Sequence, residues 1–186
     1  EILKLENMEA CRDSLVWLRS QPGGWAQAWA ECPRGDWMLW LLGRLSGPPE
    51  SVGRKQLVST ACDCARPALT YDTHPAVLEC IETAEKWSRG EATIGDVRMA
   101  RRAIYAAYAA YTTAVADAAE SAAYAASAAD AADAALSASY VATYAASAAG
   151  TYARYVANYA TTAQNQTLAQ CADIVRSHCP TAPSLT

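Results

Sequence analysis

The chain has 186 residues, a formal net charge of −4 and 52% hydrophobic residues. That length is enough for one domain with a real core, and the mild acidity excludes the basic footprint of a nucleic-acid-binding domain. No segment reads as a signal peptide. Acids interrupt the alanine tract at intervals shorter than the ~20 apolar residues of a membrane span. The seven cysteines are odd in number, and most lie among apolar residues at helical spacing. They read as reduced thiols of a soluble, cytoplasmic protein.

From Asn7 to Ser20, Met8, Cys11, Leu15 and Leu18 recur three and four apart, which predicts an amphipathic helix. Pro22-Gly23-Gly24 ends it. Trp25 and Trp29 share one face of a short helix that reaches Cys32 before Pro33. Asp36 is placed to cap a helix from Trp37 to Leu45, apolar all round and so expected at the buried centre of the N-terminal half. Ser51 opens a helix that Pro67 should kink or end. His74-Pro75 starts another, with proline at its first turn, and Gly90 suits the left-handed residue beyond its end. Thr93-Ile94-Gly95-Asp96 resembles a capping box.

About half of residues 100–163 are alanine, with Gly150 as the one glycine and no proline. Alanine is the strongest helix former, so this tract predicts long helices with small-residue surfaces. An unbroken helix from Asp96 to Ala149 would measure about 80 Å, too long for a compact domain. A break is therefore expected between Ala116 and Asp130, and Gly150-Thr151 reads as a further stop. A last helix, Thr151 to Ser177, precedes a tail loosened by Pro180 and Pro183. All six tryptophans precede residue 88, and nine of ten tyrosines follow residue 104. The tyrosines supply volume that alanine lacks while keeping a hydroxyl near water. No strand-period segment occurs, so the fold class is all-α. It is a helical bundle in one domain, residues 1–186, with a Trp-rich short-helix part (1–92) and an Ala-rich long-helix part (93–179).

Cys62, Asp63, Cys64, His74 and Cys80 match no common zinc spacing, and Cys62 and Cys64 point apart on a helix; no metal or cofactor is expected. His74 and His178 have no clear nucleophile partner, so the chain reads as a non-enzyme. Asp117 with Glu120, and Asp130 with Asp133, each share a helix face. They are either a solvated face or an acidic strip that docks a basic protein surface. Arg98, Arg101 and Arg102, followed by Tyr105 and Tyr108, are a charged flank or a grip for a small nucleotide. The pairs Trp25/Trp29 and Trp37/Trp40 are possible interface anchors, but their spacing and apolar company place them in the core.

Several segments together resemble a known family. They are Ala10-Cys11 with Trp17-Leu18, Trp25-x-x-Ala28-Trp29-x-x-Cys32, and Asp36-Trp37-x-Leu39-Trp40-Leu41. Downstream come Ala61-Cys62-x-x-Ala65-Arg66, Ala84-x-x-Trp87-x-x-Gly90-Glu91-Ala92-Thr93, and Leu168-x-x-Cys171-Ala172-Asp173-Ile174-Val175-Arg176. The set resembles the all-helical immunity proteins of bacterial polymorphic-toxin systems, which have phage relatives. The resemblance implies a protein that binds and neutralises a toxin domain or a host defence protein. Exposed faces of the alanine helices would do the occluding, with Asp117, Glu120, Asp130 and Asp133 as contacts. A nucleotide-sequestering module and a self-associating helical protein, a homo-oligomer, are the alternatives.

Overall fold

The computed structural model describes residues 1–71, 74–108, 114–157 and 160–185, the side chains of residues 108, 114 and 154–157 excepted. Ten α-helices follow one another along these residues: α1 (Ile2–Asn7), α2 (Arg12–Arg19), α3 (Gly24–Glu31), α4 (Gly35–Leu45), α5 (Val52–Ala65), α6 (Pro75–Ser88), α7 (Ile94–Tyr108), α8 (Ala114–Ser127), α9 (Ala134–Ala157) and α10 (Ala160–His178). A 3-10 turn at Arg66–Thr70 continues α5 where Pro67 removes a backbone donor. No strand occurs among the described residues, and none of the described helices is long and apolar enough to cross a membrane.

Local chemistry sets several boundaries as the sequence implies. The Ser51 hydroxyl accepts from the Arg54 amide at 3.1 Å. His74 caps α6, its Nδ1 accepting from the Ala76 amide at 3.1 Å. Thr93 and Asp96 form the reciprocal box: the Thr93 amide donates to the Asp96 carboxylate at 2.8 Å and the Asp96 amide to the Thr93 hydroxyl at 3.2 Å. The Thr93 hydroxyl, donating to the Asp96 carboxylate at 2.7 Å, and then the Thr93 amide hold that carboxyl below its usual range. Gly90 takes φ +80°, open to a side chain only at a conformational cost.

Other boundaries differ. The helix expected from Asn7 begins only at Arg12, and a separate α1 precedes it, because Glu9 adopts φ +65° and turns the chain between α1 and α2. Arg34, not Asp36, precedes α4; Asp36 lies in its first turn and is held by the Arg34 guanidinium. The turn of residues 128–133 separates α8 from α9, at the far end of the expected break. Residues 109–113, between α7 and α8, lie outside the described residues.

Gly150 stops nothing. It sits inside α9, and a Cβ there would meet the Gln164 side chain of α10 at 2.6–2.8 Å. The glycine makes room for a neighbour, and the last helix begins at Ala160. Nor is the tail loose. The Trp29 indole donates to the Cys179 carbonyl at 2.9 Å and the Trp25 indole to the Pro183 carbonyl at 2.9 Å, while Leu185 is buried. Residues 179–185 thus strap the C-terminal end across α3.

The alanine helices form the middle of the molecule. Helix α9 packs on α8, α4, α10 and α5 together. Ala122, Ala123, Ala125 and Ala126 of α8, and Ala138, Ala142, Ala145 and Ala148 of α9, have no exposed surface. A buried methyl contributes less than a buried leucine, but a methyl-only interface lets helix backbones approach and gain dispersion contacts. At Gly43 of α4, even a Cβ would lie 2.7 Å from the Ala135 backbone nitrogen of α9. At Gly35 it would lie 2.8 Å from the Ala172 nitrogen of α10. These alanine faces of α8 and α9 are therefore internal, while Ala103 and Ala106 of α7 are exposed. Serines pin the α8/α9 pair: Ser121 donates to the Val141 carbonyl at 2.9 Å and Ser147 to the Asp117 carboxylate at 2.7 Å.

Arg54 of α5 is a buried cation whose partners are mainly carbonyls. Its guanidinium donates to Gly47 at 2.7 Å, to Ala131 at 3.2 Å and to Ala128 at 3.3 Å, with Ser46 Oγ at 3.1 Å. It satisfies carbonyls left over where α4 and α8 end, where the helix dipole favours positive charge.

Candidate functional site

The tryptophans divide into two kinds. Trp29 and Trp87 are buried, whereas Trp17, Trp25, Trp37 and Trp40 are half-buried. Those four line one open groove of about 380 Å³ between α2, α3 and α4, with Leu136 and Ser139 of α9 at one side. Its size falls within the roughly 300–1,000 Å³ of ligand sites, and such sites are mostly apolar with a few placed polar groups. The helices put the indoles there for local reasons. Trp37 and Trp40 stand three apart on α4, and Trp25 is pinned by the tail carbonyl already described. Trp17 of α2 meets Trp37 with ring centroids 6.0 Å apart, tilted by 55°.

One charged pair is built into the wall. Arg34 Nε and Nη2 donate to the two carboxylate oxygens of Asp36 at 2.8 and 2.6 Å, a bidentate geometry. The same guanidinium lies 4.3 Å over the Trp37 ring, a cation–π contact. Its pKa is raised, chiefly by the bond to Asp36. Below it, Arg176 donates to the Cys32 carbonyl at 2.7 Å and fixes α10 under the α3–α4 corner. Glu9 and Asp13 stand exposed on the rim.

The residues singled out in the sequence lie elsewhere, and the structure brings two rival sets together. Asp130 receives Arg98 at 2.6 Å and Arg101 at 3.5 Å, and Arg101 also donates to Ser127 at 2.9 Å. The candidate acid and the candidate nucleotide-binding arginines therefore hold α7 against the end of α8. Arg102 and Tyr105 are exposed; the Tyr108 side chain lies outside the described residues. Asp133 accepts from the Leu136 amide at 2.9 Å and so caps α9. Asp130 and Asp133 thus occupy a turn rather than the helix face the spacing implied, and the four acids do not form one strip.

Glu120 is the exception. It stands one turn before Tyr124 on α8, and Tyr124 stacks on Tyr144 of α9 at 5.3 Å and 17°. Tyr140 completes the cluster at 5.0 Å from Tyr124. Burial, with the nearby Asp117 charge, raises the Glu120 carboxyl above its usual range.

The buried thiols and the imidazoles are occupied structurally. Cys64 and Cys171 each donate to the other's carbonyl at 3.7 Å, Cys62 donates to Ile81 at 3.8 Å, and burial pushes the Cys80 thiol up to about 12. Cys62 and Cys64 do point apart, and no set of three potential metal ligands occurs among the described residues. His178 Nε2 lies 2.7 Å from Asp63, linking α10 to α5. Sequence reasoning missed the groove itself. Its usable signal was the run Arg34-Gly35-Asp36-Trp37, in which a charged pair directly precedes a tryptophan. No protein-family model matches the chain, and no curated protein or solved structure matches it either.

Proposed function

We propose that this chain is a non-enzymatic binding protein that inhibits a partner protein, a toxin domain or a host defence protein, as the immunity proteins it resembles do. The observation that carries the reading is the groove with its four half-buried indoles. Tryptophan and arginine dominate the centres of protein interfaces, where large apolar area comes with a polar handle. Contact surface therefore shifts from the alanine helices, whose faces are used internally, to the α2–α3–α4 side. The same burial argues against self-association through the α8 and α9 alanine faces. The nucleotide alternative loses support because Arg98 and Arg101 are already paired.

Co-expression with the products of the genes that flank its own tests the reading in a growth assay. One of those products should arrest growth alone and fail to do so beside this chain. The Trp37→Ala/Trp40→Ala variant, checked for unchanged helical circular dichroism, should lose that protection. Protection by no flanking pair overturns the inhibitor. Full protection by the double variant removes the groove from it.

A further inference from the structure

The groove carries more charge information than its apolar wall alone. Four charged residues line it: Glu9, Asp13, Arg34 and Asp36. Arg34 and Asp36 neutralise each other through two hydrogen bonds. Glu9 and Asp13 make no ion pair among the described residues. An apolar trough with two carboxylates outside any of these ion pairs on its rim therefore faces solvent, and the Arg44 guanidinium over the Trp40 ring is bonded to the Met8 carbonyl.

That combination selects an occupant. A wholly apolar segment covering the rim would strip water from Glu9 and Asp13 without replacing it, which costs free energy. An acidic segment would add like-charge repulsion. A segment with an apolar face and a flanking lysine or arginine meets both demands. The walls are helices and offer no free strand edge among the described residues, so the occupant has to satisfy its own backbone groups. An amphipathic helix does so, in the helix-in-groove mode.

We propose that the groove binds an amphipathic, cationic helix of the partner protein. Apolar side chains lie against Trp17, Trp25, Trp37 and Trp40, and a basic side chain lies beside Glu9 and Asp13. This rests on the reading of the chain as a protein-binding inhibitor and names the chemistry of what it binds.

Two features supply readouts on the full chain without the natural partner. Five of the six tryptophans line the groove, four of them half-buried, so occupation shifts tryptophan emission. The groove also holds Cys11, an exposed thiol, whereas five of the other six are buried. The probes are a fourteen-residue leucine–lysine helical peptide and its leucine–glutamate counterpart. The lysine peptide should shift the emission saturably and slow iodoacetamide modification of Cys11, followed by mass spectrometry, several-fold. Its affinity should fall with added salt. The glutamate peptide should bind at least tenfold more weakly. Glu9→Gln/Asp13→Asn should weaken the lysine peptide at least about fivefold, the scale of two exposed ion pairs. Equal binding of the two peptides, an unaltered affinity in the double variant, no binding of either peptide, or an emission change without protection of Cys11 each overturns the proposal. The growth assay is independent: peptides that discriminate while no flanking product is neutralised keep the groove chemistry and discard the inhibitor.

Discussion

The alanine-rich and tryptophan-rich parts invert the usual relation between size and burial. The smallest apolar side chains fill the centre, where α9 touches four other helices, and four of the largest stand at an open rim. In the centre, stability comes from backbone proximity and leaves no spare volume. At the rim, large rings are left incompletely covered and are free to meet something else. The contrast teaches that apolar volume alone does not locate a core. Covering a face requires a facing element that fits closely, and methyl groups fit where indoles do not.

Arg54 tests the central region most severely. Arg54→Met keeps much of the apolar stem but deprives the Gly47, Ala128 and Ala131 carbonyls of their donor. Bonds to a charged group are worth about 1.5–3 kcal/mol each at most, and unsatisfied buried acceptors add to the loss. Urea denaturation should show a loss of about 3 kcal/mol, and a loss under 1 kcal/mol would mean water replaces the guanidinium. Ala142→Leu comes next. Added methylenes in a filled interface cost roughly 1–3 kcal/mol, so the midpoint should fall, while Leu136→Ala, at the groove edge and half exposed, should move it far less. Equal losses at the two sites would erase the proposed difference between centre and rim.

The sequence carried its local chemistry faithfully. Ser51, His74-Pro75 and Thr93 with Asp96 each act through bonds to amides within three residues, so their role is readable without a fold. Glu9 gave no such sign, because a left-handed residue that is not glycine has no compositional mark. Gly150 misled for the opposite reason. Its missing side chain serves Gln164 on another helix, not the local backbone, and no local pattern distinguishes those uses. The Trp37–Trp40 spacing is the same whether a helix face is covered or open; only the placement of α2 and α3 decides it. Asp130 likewise reads as an exposed acid until α7 brings Arg98 and Arg101 to it.

Smaller effects sharpen the same contrast. Gly150→Ala gains the roughly 0.5–1 kcal/mol of helix propensity that glycine lacks, less the cost of moving the flexible Gln164 side chain. The melting temperature should stay level or rise slightly; a large drop would restore the glycine as a helix stop. Glu120→Gln is the gentlest. Its carboxyl is raised from 4.5 in the folded chain, so the folded state holds the proton more tightly and stability falls as pH rises from 4.5 through the raised value. The glutamine variant should be slightly the more stable at pH 7, and the two proteins should converge below pH 4. A wild type favoured at pH 7 would mean that Glu120 has found a cation.

The strap over α3 has a consequence for timing. Trp25 leaves the ribosome 158 residues ahead of Pro183, whose carbonyl receives its indole, and Trp29 leaves 150 residues ahead of Cys179. Until those late residues leave the ribosome, one wall of the groove has no anchor. If the groove binds as proposed, its α3 wall is secured only once residues 179–183 have joined it.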